Sequence, residues 1–323
     1  MNPDLSAEIS DAEFEAFSNR ILTCPEYFDM AQVAARYRSC GLRVVQNAHD
    51  PEIPRLICKA LNEKRGYSAI RIGDGEGNIL GYAEHPDTLN LEQSAARTWL
   101  ATRADRFDAD ETGLRRLKQL LLETIDAADI VGVRGLWSAN PIVRSPDTTV
   151  ARLRQDPRGM TGVWNAIDRM LGLASLGALH GKTIGSAHFY LAVLKNLDAL
   201  VEAADRVLLV SSDEELSKAF EEKYPDKRID YIQVGRGQSQ QSESGEPDFL
   251  PGVASLLPED MTGSLALVGA GIWANMYCTW IKRLGGAAVD IGSGVDLLMG
   301  RESRPMHRFL DTSDLRSLRL ISD

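Results

Sequence analysis

The sequence predicts an α/β protein with a mainly parallel sheet and helices on both faces. Two observations predict it. Short β-rich runs recur at Ser68–Ile72, Ile130–Val133, Lys182–Ile184, Arg206–Val210, Ile229–Val234, Ser264–Val268 and Ala287–Ile291. Between most of them apolar residues fall at helical spacing, as in Leu114, Leu117, Leu121 and Ile125. Strands that alternate with helices pair in parallel, because each crossover helix returns the chain to the same end of the sheet. The pattern is Rossmann-like, and ligands in such sheets bind beyond the carboxyl ends of the strands.

Taken in order, the first 65 residues read as helices. Asp11 to Leu22 and Tyr27 to Arg38 are amphipathic, and Pro51 to Lys64 opens on prolines suited to a first helical turn. They predict an N-terminal helical extension over 1–65, followed by one α/β domain over 66–323. Exposed apolar faces on those helices would offer a homodimer surface. Further on, Tyr190, Leu194, Leu197 and Val201 keep helical spacing, as do Trp273, Tyr277, Trp280 and Leu284. The last three aromatics are therefore expected in the core. Gly135 to Gly162, rich in Arg, Pro and Asp, reads as irregular, and so does Gly235 to Gly252. Long loops in compact domains are often binding loops. Arg134, Trp137 and Asn140 are candidates for ligand contact, whereas 237–247 reads as a surface loop.

Composition excludes several classes. The chain has 323 residues, 44% hydrophobic and 25% charged, as in ordinary globular proteins. A net charge of −10 argues against a nucleic-acid surface, which needs a basic stripe. No run reaches the ~18 apolar residues of a membrane span. The start of the chain is acidic and lacks signal-peptide features, so the cytoplasm is the expected compartment. Cys24, Cys40, Cys58 and Cys278 are scattered without a CxxC pair, which points to reduced thiols rather than zinc.

The most informative stretch is Arg71-Ile72-Gly73-Asp74-Gly75-Glu76, directly after a strand-like run. If the backbone stays extended there, Asp74 and Glu76 point to one side. Two hard oxygen ligands in a glycine-flanked loop suit Mg²⁺ or Mn²⁺ bridged to phosphate oxygens. Gly73, Gly75 and Gly77 would let a ligand approach the backbone. Asp74-Gly75 between apolar runs is also a common hairpin signal.

A second unit runs from Ser264 to Ser293: a strand, the turn Gly269-Ala270-Gly271, a helix with Ala274 at the third fingerprint position, and a strand ending on Asp290. Asp290 follows Gly269 by about 20 positions, the spacing of a dinucleotide fingerprint whose acid binds ribose. This makes a nicotinamide-dependent oxidoreductase a competing reading. A fingerprint normally opens a nucleotide-binding half, yet little chain follows here, so the sheet must be completed from upstream. A glycine-rich strand-to-helix turn without any nucleotide is the third alternative, and it leaves a non-catalytic binding protein open.

Together the two stretches resemble the bacterial glycosyltransferases of the GT-D fold. The Arg71–Glu76 block is similar to that family's RFGDGE motif, with Ile72 in place of Phe. Val268-Gly269-Ala270-Gly271, Tyr277, Trp280-Ile281-Lys282, Gly285-Gly286, Asp290-Ile291-Gly292-Ser293 and Asp296 resemble its C-terminal signature. Some members carry His where this chain has Ser293. The resemblance spans about 60–304 and is sharp in those two blocks only. It implies a nucleotide-diphosphate-sugar donor, a saccharide or glycoconjugate acceptor, and Mn²⁺ or Mg²⁺ held by Asp74 and Glu76. Arg71 would clamp phosphate or pair with Asp74. Gly73, Gly75, Gly269, Ala270, Gly271, Ser293 and Asp296 would line the donor site.

Ser186 and His188 follow a strand and are candidates for the same cleft. His188 would be a general base for an acceptor hydroxyl, or else a structural histidine. Asp290 is the other catalytic candidate. Asp290 and Asp296 would contact ribose or acceptor, or cap a short helix starting near Gly294. Lys282 and Arg283 are expected only to favour a helix C-terminus. Arg301 and Arg304 form a basic tail that would meet phosphate or solvent.

Overall fold

The computed structural model describes residues 9–103, 110–134, 145–234, 249–304, 307, 310 and 318–320. Its elements, in chain order, are α1 (Asp11–Thr23), α2 (Met30–Ser39), β1 (Arg43–Val45), α3 (Glu52–Asn62), β2 (Tyr67–Ile72), α4 (Asp74–Gly81), α5 (Leu89–Arg103) and α6 (Glu111–Ala127). There follow β3 (Ile130–Val133), α7 (Pro146–Leu153), α8 (Pro157–Ser175), β4 (Thr183–Ser186), α9 (Tyr190–Lys195), α10 (Leu197–Ala203), β5 (Arg206–Ser211), α11 (Glu215–Lys223) and β6 (Arg228–Gln233). The last elements are α12 (Phe249–Leu256), β7 (Ser264–Gly269), α13 (Trp273–Arg283), β8 (Ala287–Asp290) and α14 (Gly294–Leu298). The strands form one eight-stranded parallel sheet in the order β1-β4-β3-β2-β8-β7-β5-β6. The α/β class, the parallel sheet and every strand expected from the sequence are present.

By contact density the chain divides into two compact units that interleave along the sequence. The first comprises Met1–Gln46, Arg71–Asp126 and Val131–Ala187; the second comprises Asn47–Ile70, Ala127–Ile130 and His188–Asp323.

In the first unit, α1 starts on a capping box. The Ser10 hydroxyl accepts from the Glu13 N–H, and Glu13 bonds back to Ser10 N–H. Glu13 also accepts from Asn90 N–H at 2.8 Å and Leu91 N–H at 3.3 Å, tying α1 to the start of α5. Burial opposes ionisation of Glu13, but these N–H groups hold its pKa below the usual carboxylate value. The apolar face of α1 turns inward, with Phe17 and Ile21 fully buried; Leu22 stays exposed.

Four local expectations are corrected. The first 65 residues are not all helical, because Arg43–Val45 pairs in parallel with β4. Its three residues are too few to show a period-2 pattern. Tyr27 to Arg38 is not one helix. Pro25–Phe28 forms a 3₁₀ turn, then Asp29 accepts from Ala31 N–H at 2.8 Å and restarts the chain as α2. Tyr190 to Val201 splits into α9 and α10 at Asn196. The segment 135–162 is not irregular throughout: α7 and the start of α8 lie inside it. Ser145 and Asp156 cap these helices through Thr148 and Gly159 N–H, and Pro146 and Pro157 occupy first-turn positions. The same Pro and Asp residues had suggested a loop.

In the second unit, α13 carries the expected core aromatics. Tyr277 is fully buried and Trp273 nearly so, while Trp280 is half-buried against Tyr277. Lys282 does more than complement a helix end. Its Nζ lies 2.8 Å from Asp129 Oδ2 and donates to the Ala127 carbonyl at 2.6 Å, while Asp129 Oδ2 accepts from Ser68 N–H on β2 at 2.8 Å. The four cysteines form no disulfide; Cys278 is buried and the others are half-buried. Among the described residues no helix is long and apolar enough to cross a membrane.

Candidate functional site

The first candidate group stands at the carboxyl end of β2, in the first unit. Gly73 is extended (φ −88°, ψ −164°) and serves as N-cap, and Asp74 is the first residue of α4. The extended loop expected here is therefore a helix. In a helix, neighbours i and i+2 do not share a face, so Asp74 and Glu76 diverge. Glu76 turns back on the cap: its Oε2 accepts from Gly73 N–H at 2.9 Å. Asp74 is half-buried, and among the described residues its carboxylate has no hydrogen-bond or ion-pair partner. Arg71 is half-buried at the end of β2.

Gly77 in this stretch serves packing. A Cβ on Gly77 would stand 2.0 Å from the carbonyl oxygen of Gly162 on α8, and a Cβ on Gly162 would stand 2.0 Å from that of Asp74. Helices α4 and α8 thus meet backbone to backbone. The buried contact is polar: Thr161 Oγ1 donates to Asn78 Oδ1 at 2.7 Å, and Asn78 Nδ2 donates to the Arg158 carbonyl at 2.8 Å. Asn78, Thr161 and Gly162 fix the direction of α4 and hence of Asp74. The sequence reading missed Thr161 and Gly162 because it took 135–162 as loop, and Asn78 because it took the Asp74 stretch as an extended loop.

A second candidate group lies in the second unit, around β7, its turn and β8. A Cβ on Gly269 would fall 2.4 Å from Val295 Cγ2, so this glycine admits α14. Gly271 has φ +59°, and among the described residues nothing lies within 4 Å of its Cβ position. The following helix starts at Trp273 without a side-chain cap bond, and the Ala274 N–H donates to the Gly271 carbonyl at 3.1 Å. Asp290 ends β8, opposite Val268, and is 2% exposed.

After Asp290 the chain returns to β7: the N–H groups of Ile291 and Gly292 donate to the Val268 carbonyl at 2.9 and 3.3 Å. Ser293 takes the N-cap position of α14 but makes no side-chain cap bond. Its Oγ lies 3.5 Å from His307 Nε2, which is 3.3 Å from Tyr190 Oη. His307 is fully buried and its Nδ1 has no partner. Burial pushes its pKa down to about 4, so the ring is neutral at pH 7. Neither Asp290 nor Asp296 caps α14: Asp290 precedes it, and Asp296 lies inside it and pairs with Arg301 Nε at 3.5 Å. Arg301 is no solvated tail, since its Nη2 also bonds Asp213 just past β5. Sequence reasoning missed Asp213, His307 and Tyr190, whose partners are distant in the chain.

The second group has the topological setting of an α/β ligand site. After β5 the chain moves outward to β6, whereas after β7 it moves to β8 on the other side. Connections that part in this way open a crevice at the carboxyl ends of the adjacent strands. Ser211 and Gly269 are paired there. No protein-family model, curated protein or solved structure matches the chain. The functional reading therefore rests on these residues and their geometry.

Other candidates are placed as follows. Ser186 ends β4 and is buried; His188 is 6% exposed with its ring tilted against Tyr190 at 6.3 Å. Trp137, Asn140 and 237–247 lie outside the described residues. Among the described residues no group of three His, Cys, Asp or Glu side chains could hold a metal ion. A surface hollow of about 230 Å³ lies between α10 and α11, and several of its polar groups pair with one another. Tyr224 donates to Asp198 at 2.6 Å, and Lys223 pairs with Asp198 at 2.9 Å.

Proposed function

We propose that this chain is a glycosyltransferase that moves a sugar from a nucleotide-diphosphate donor to a saccharide or glycoconjugate acceptor, with Mn²⁺ or Mg²⁺. The observation that carries the reading is the crevice of the second unit. An open glycine turn, the uncapped start of α13 and Asp290 stand together at the carboxyl end of β7 and β8. Amides at a helix start suit phosphate, and an acid at the end of the next strand suits ribose hydroxyls. Gly269, Ala270, Gly271, Ser293 and Asp296 belong to the donor side of this reading.

The divalent ion is assigned to Asp74. A partnerless, half-buried carboxylate fits an ion that takes its remaining ligands from phosphate and water. Glu76 does not fit in this conformation, because its carboxylate holds Gly73 N–H. When bound, such an ion neutralises charge that develops on the leaving diphosphate. The chain's own contribution is to fix Asp74 through the α4–α8 contact.

One observation favours a second reading, a nicotinamide dinucleotide enzyme. The run β2-β8-β7-β5-β6 reproduces the 3-2-1-4-5 order of dinucleotide-binding sheets, with β7 as the first strand and β2, β5 and β6 supplied from upstream. A thermal-shift panel of UDP, GDP, CDP and NAD, each with and without Mn²⁺, separates the two. Ligand in excess of its Kd raises the midpoint by mass action. A nucleoside diphosphate that stabilises only with metal and only with Asp74 intact supports the transferase. NAD stabilising without metal, and equally in Asp74→Asn, overturns it in favour of the dinucleotide enzyme.

A further inference from the structure

We propose that Arg301 is the anion-binding side chain of the crevice at the carboxyl ends of β5 and β7, and that it takes the diphosphate of the nucleotide. The assignment rests on the nucleotide reading above and adds a residue to it. The argument is topological. In the sheet, β7 lies between β8 and β5. Asp213 follows β5, and Asp296 belongs to α14, which follows β8. Arg301 bonds Asp213 through Nη2 and approaches Asp296 through Nε at 3.5 Å. Helix α14 packs on Gly269 at the end of β7, so a side chain that pairs with both Asp296 on α14 and Asp213 past β5 spans the carboxyl ends of β7 and β5. The Gly269-Ala270-Gly271 turn is at that end, with open space at Gly271.

Charge makes the same point. Asp213, Asp290 and Asp296 put carboxylates at this end of the sheet, and Asp213 and Asp290 are only 9% and 2% exposed. A diphosphate among them is repelled unless a cation intervenes. Arg301 is 42% exposed on its side chain and reaches both Asp213 and Asp296. Guanidinium presents five N–H donors in a planar fork, so it can keep one carboxylate while it binds phosphate oxygens. Two carboxylates hold it in place, and a phosphate on the glycine turn replaces one of them.

The test is calorimetric titration of inorganic pyrophosphate, UDP, GDP, CDP and NAD, each with and without Mn²⁺, into the full chain. Wild type, Arg301→Gln, Arg301→Lys and Asp213→Asn are compared. Loss of a charge-assisted contact predicts roughly 10- to 100-fold weaker binding in Arg301→Gln. Arg301→Lys falls between, since it keeps charge without the fork. Asp213→Asn releases Arg301 and keeps an acceptor for Glu215 N–H, so it binds pyrophosphate more tightly, a gain that structural damage does not give. Wild-type binding with Arg301→Gln within about twofold of it overturns the assignment alone. If Arg301→Gln does not fold, Asp213→Asn decides, and unchanged or weaker binding there overturns it. Wild type that binds no probe overturns the nucleotide reading and this assignment together.

Discussion

A Cβ on Gly77 would lie 2.0 Å from the carbonyl oxygen of Gly162. Real Cβ atoms do not come so close to backbone, so α4 and α8 would have to separate to admit a methyl group. Overpacking of a buried contact costs about 1–3 kcal/mol and sometimes more. Gly77→Ala and Gly162→Ala are each expected to lower unfolding free energy by about 2–4 kcal/mol in urea titrations. Gly172, on the same helix α8, has nothing within 4 Å of its Cβ position. Gly172→Ala should raise stability by about 0.5–1 kcal/mol, the helix-propensity gain. Equal effects at the three positions would sink the packing account.

The divergence of Asp74 and Glu76 separates their roles. Glu76→Ala removes the acceptor of Gly73 N–H and should cost about 1 kcal/mol, as lost helix caps do. Glu76→Gln keeps an acceptor oxygen and should cost less. Asp74→Asn breaks no contact with a described residue and loses only the favourable helix-dipole term, about 0.3–1 kcal/mol. On the metal reading, Asp74→Asn alone abolishes the Mn²⁺-dependent thermal shift. A shift that survives Asp74→Asn but not Glu76→Gln would reverse the assignment.

These two residues also show what the sequence could carry. The strands were legible because Val, Ile, Leu and Ala runs recur between amphipathic helices, and β7, α13 and β8 were read almost residue by residue. The helix at Asp74 was not, because Gly73, Gly75 and Gly77 signal a turn by local propensity. Their reason is tertiary, since α8 approaches too closely for a side chain at Gly77. The pairing of Arg301 with Asp213 and of Ser293 with His307 joins residues that no spacing rule connects. The strand order that makes a crevice between β5 and β7 is likewise a property of the assembled sheet.

Lys282 illustrates a charge whose meaning changed with context. It bridges α13 to Asp129 and Ala127, and Asp129 in turn holds Ser68 N–H. Removing one partner of a half-buried pair leaves the other poorly compensated. Lys282→Met is expected to cost about 1–3 kcal/mol, well above a solvated helix-end lysine. A double-mutant cycle with Asp129→Asn should give a coupling of about 1 kcal/mol or more. Simple additivity would return Lys282 to a helix-end role.

Glu92 and His307 predict pH dependences of opposite sign. The Glu92 side chain is fully buried, and burial raises its pKa to about 7, although Arg20 and Thr88 oppose this. The folded state then holds a proton that the unfolded state releases near pH 4.5. Stability from this group falls as pH rises from about 4.5 to about 7, by up to about 3 kcal/mol. His307 behaves in reverse. Its folded pKa of about 4 lies below the ordinary 6.5, so the unfolded state binds a proton first as pH drops. Its contribution is full above pH 6.5 and is lost down to pH 4, by up to about 3 kcal/mol. The two slopes partly cancel in wild type between pH 4.5 and 6.5. Relative to wild type, Glu92→Gln should therefore become more stable as pH rises through this window, and His307→Gln less so. Urea unfolding at half-unit pH steps resolves both, and parallel profiles for the two variants would show that neither buried group titrates as its surroundings dictate.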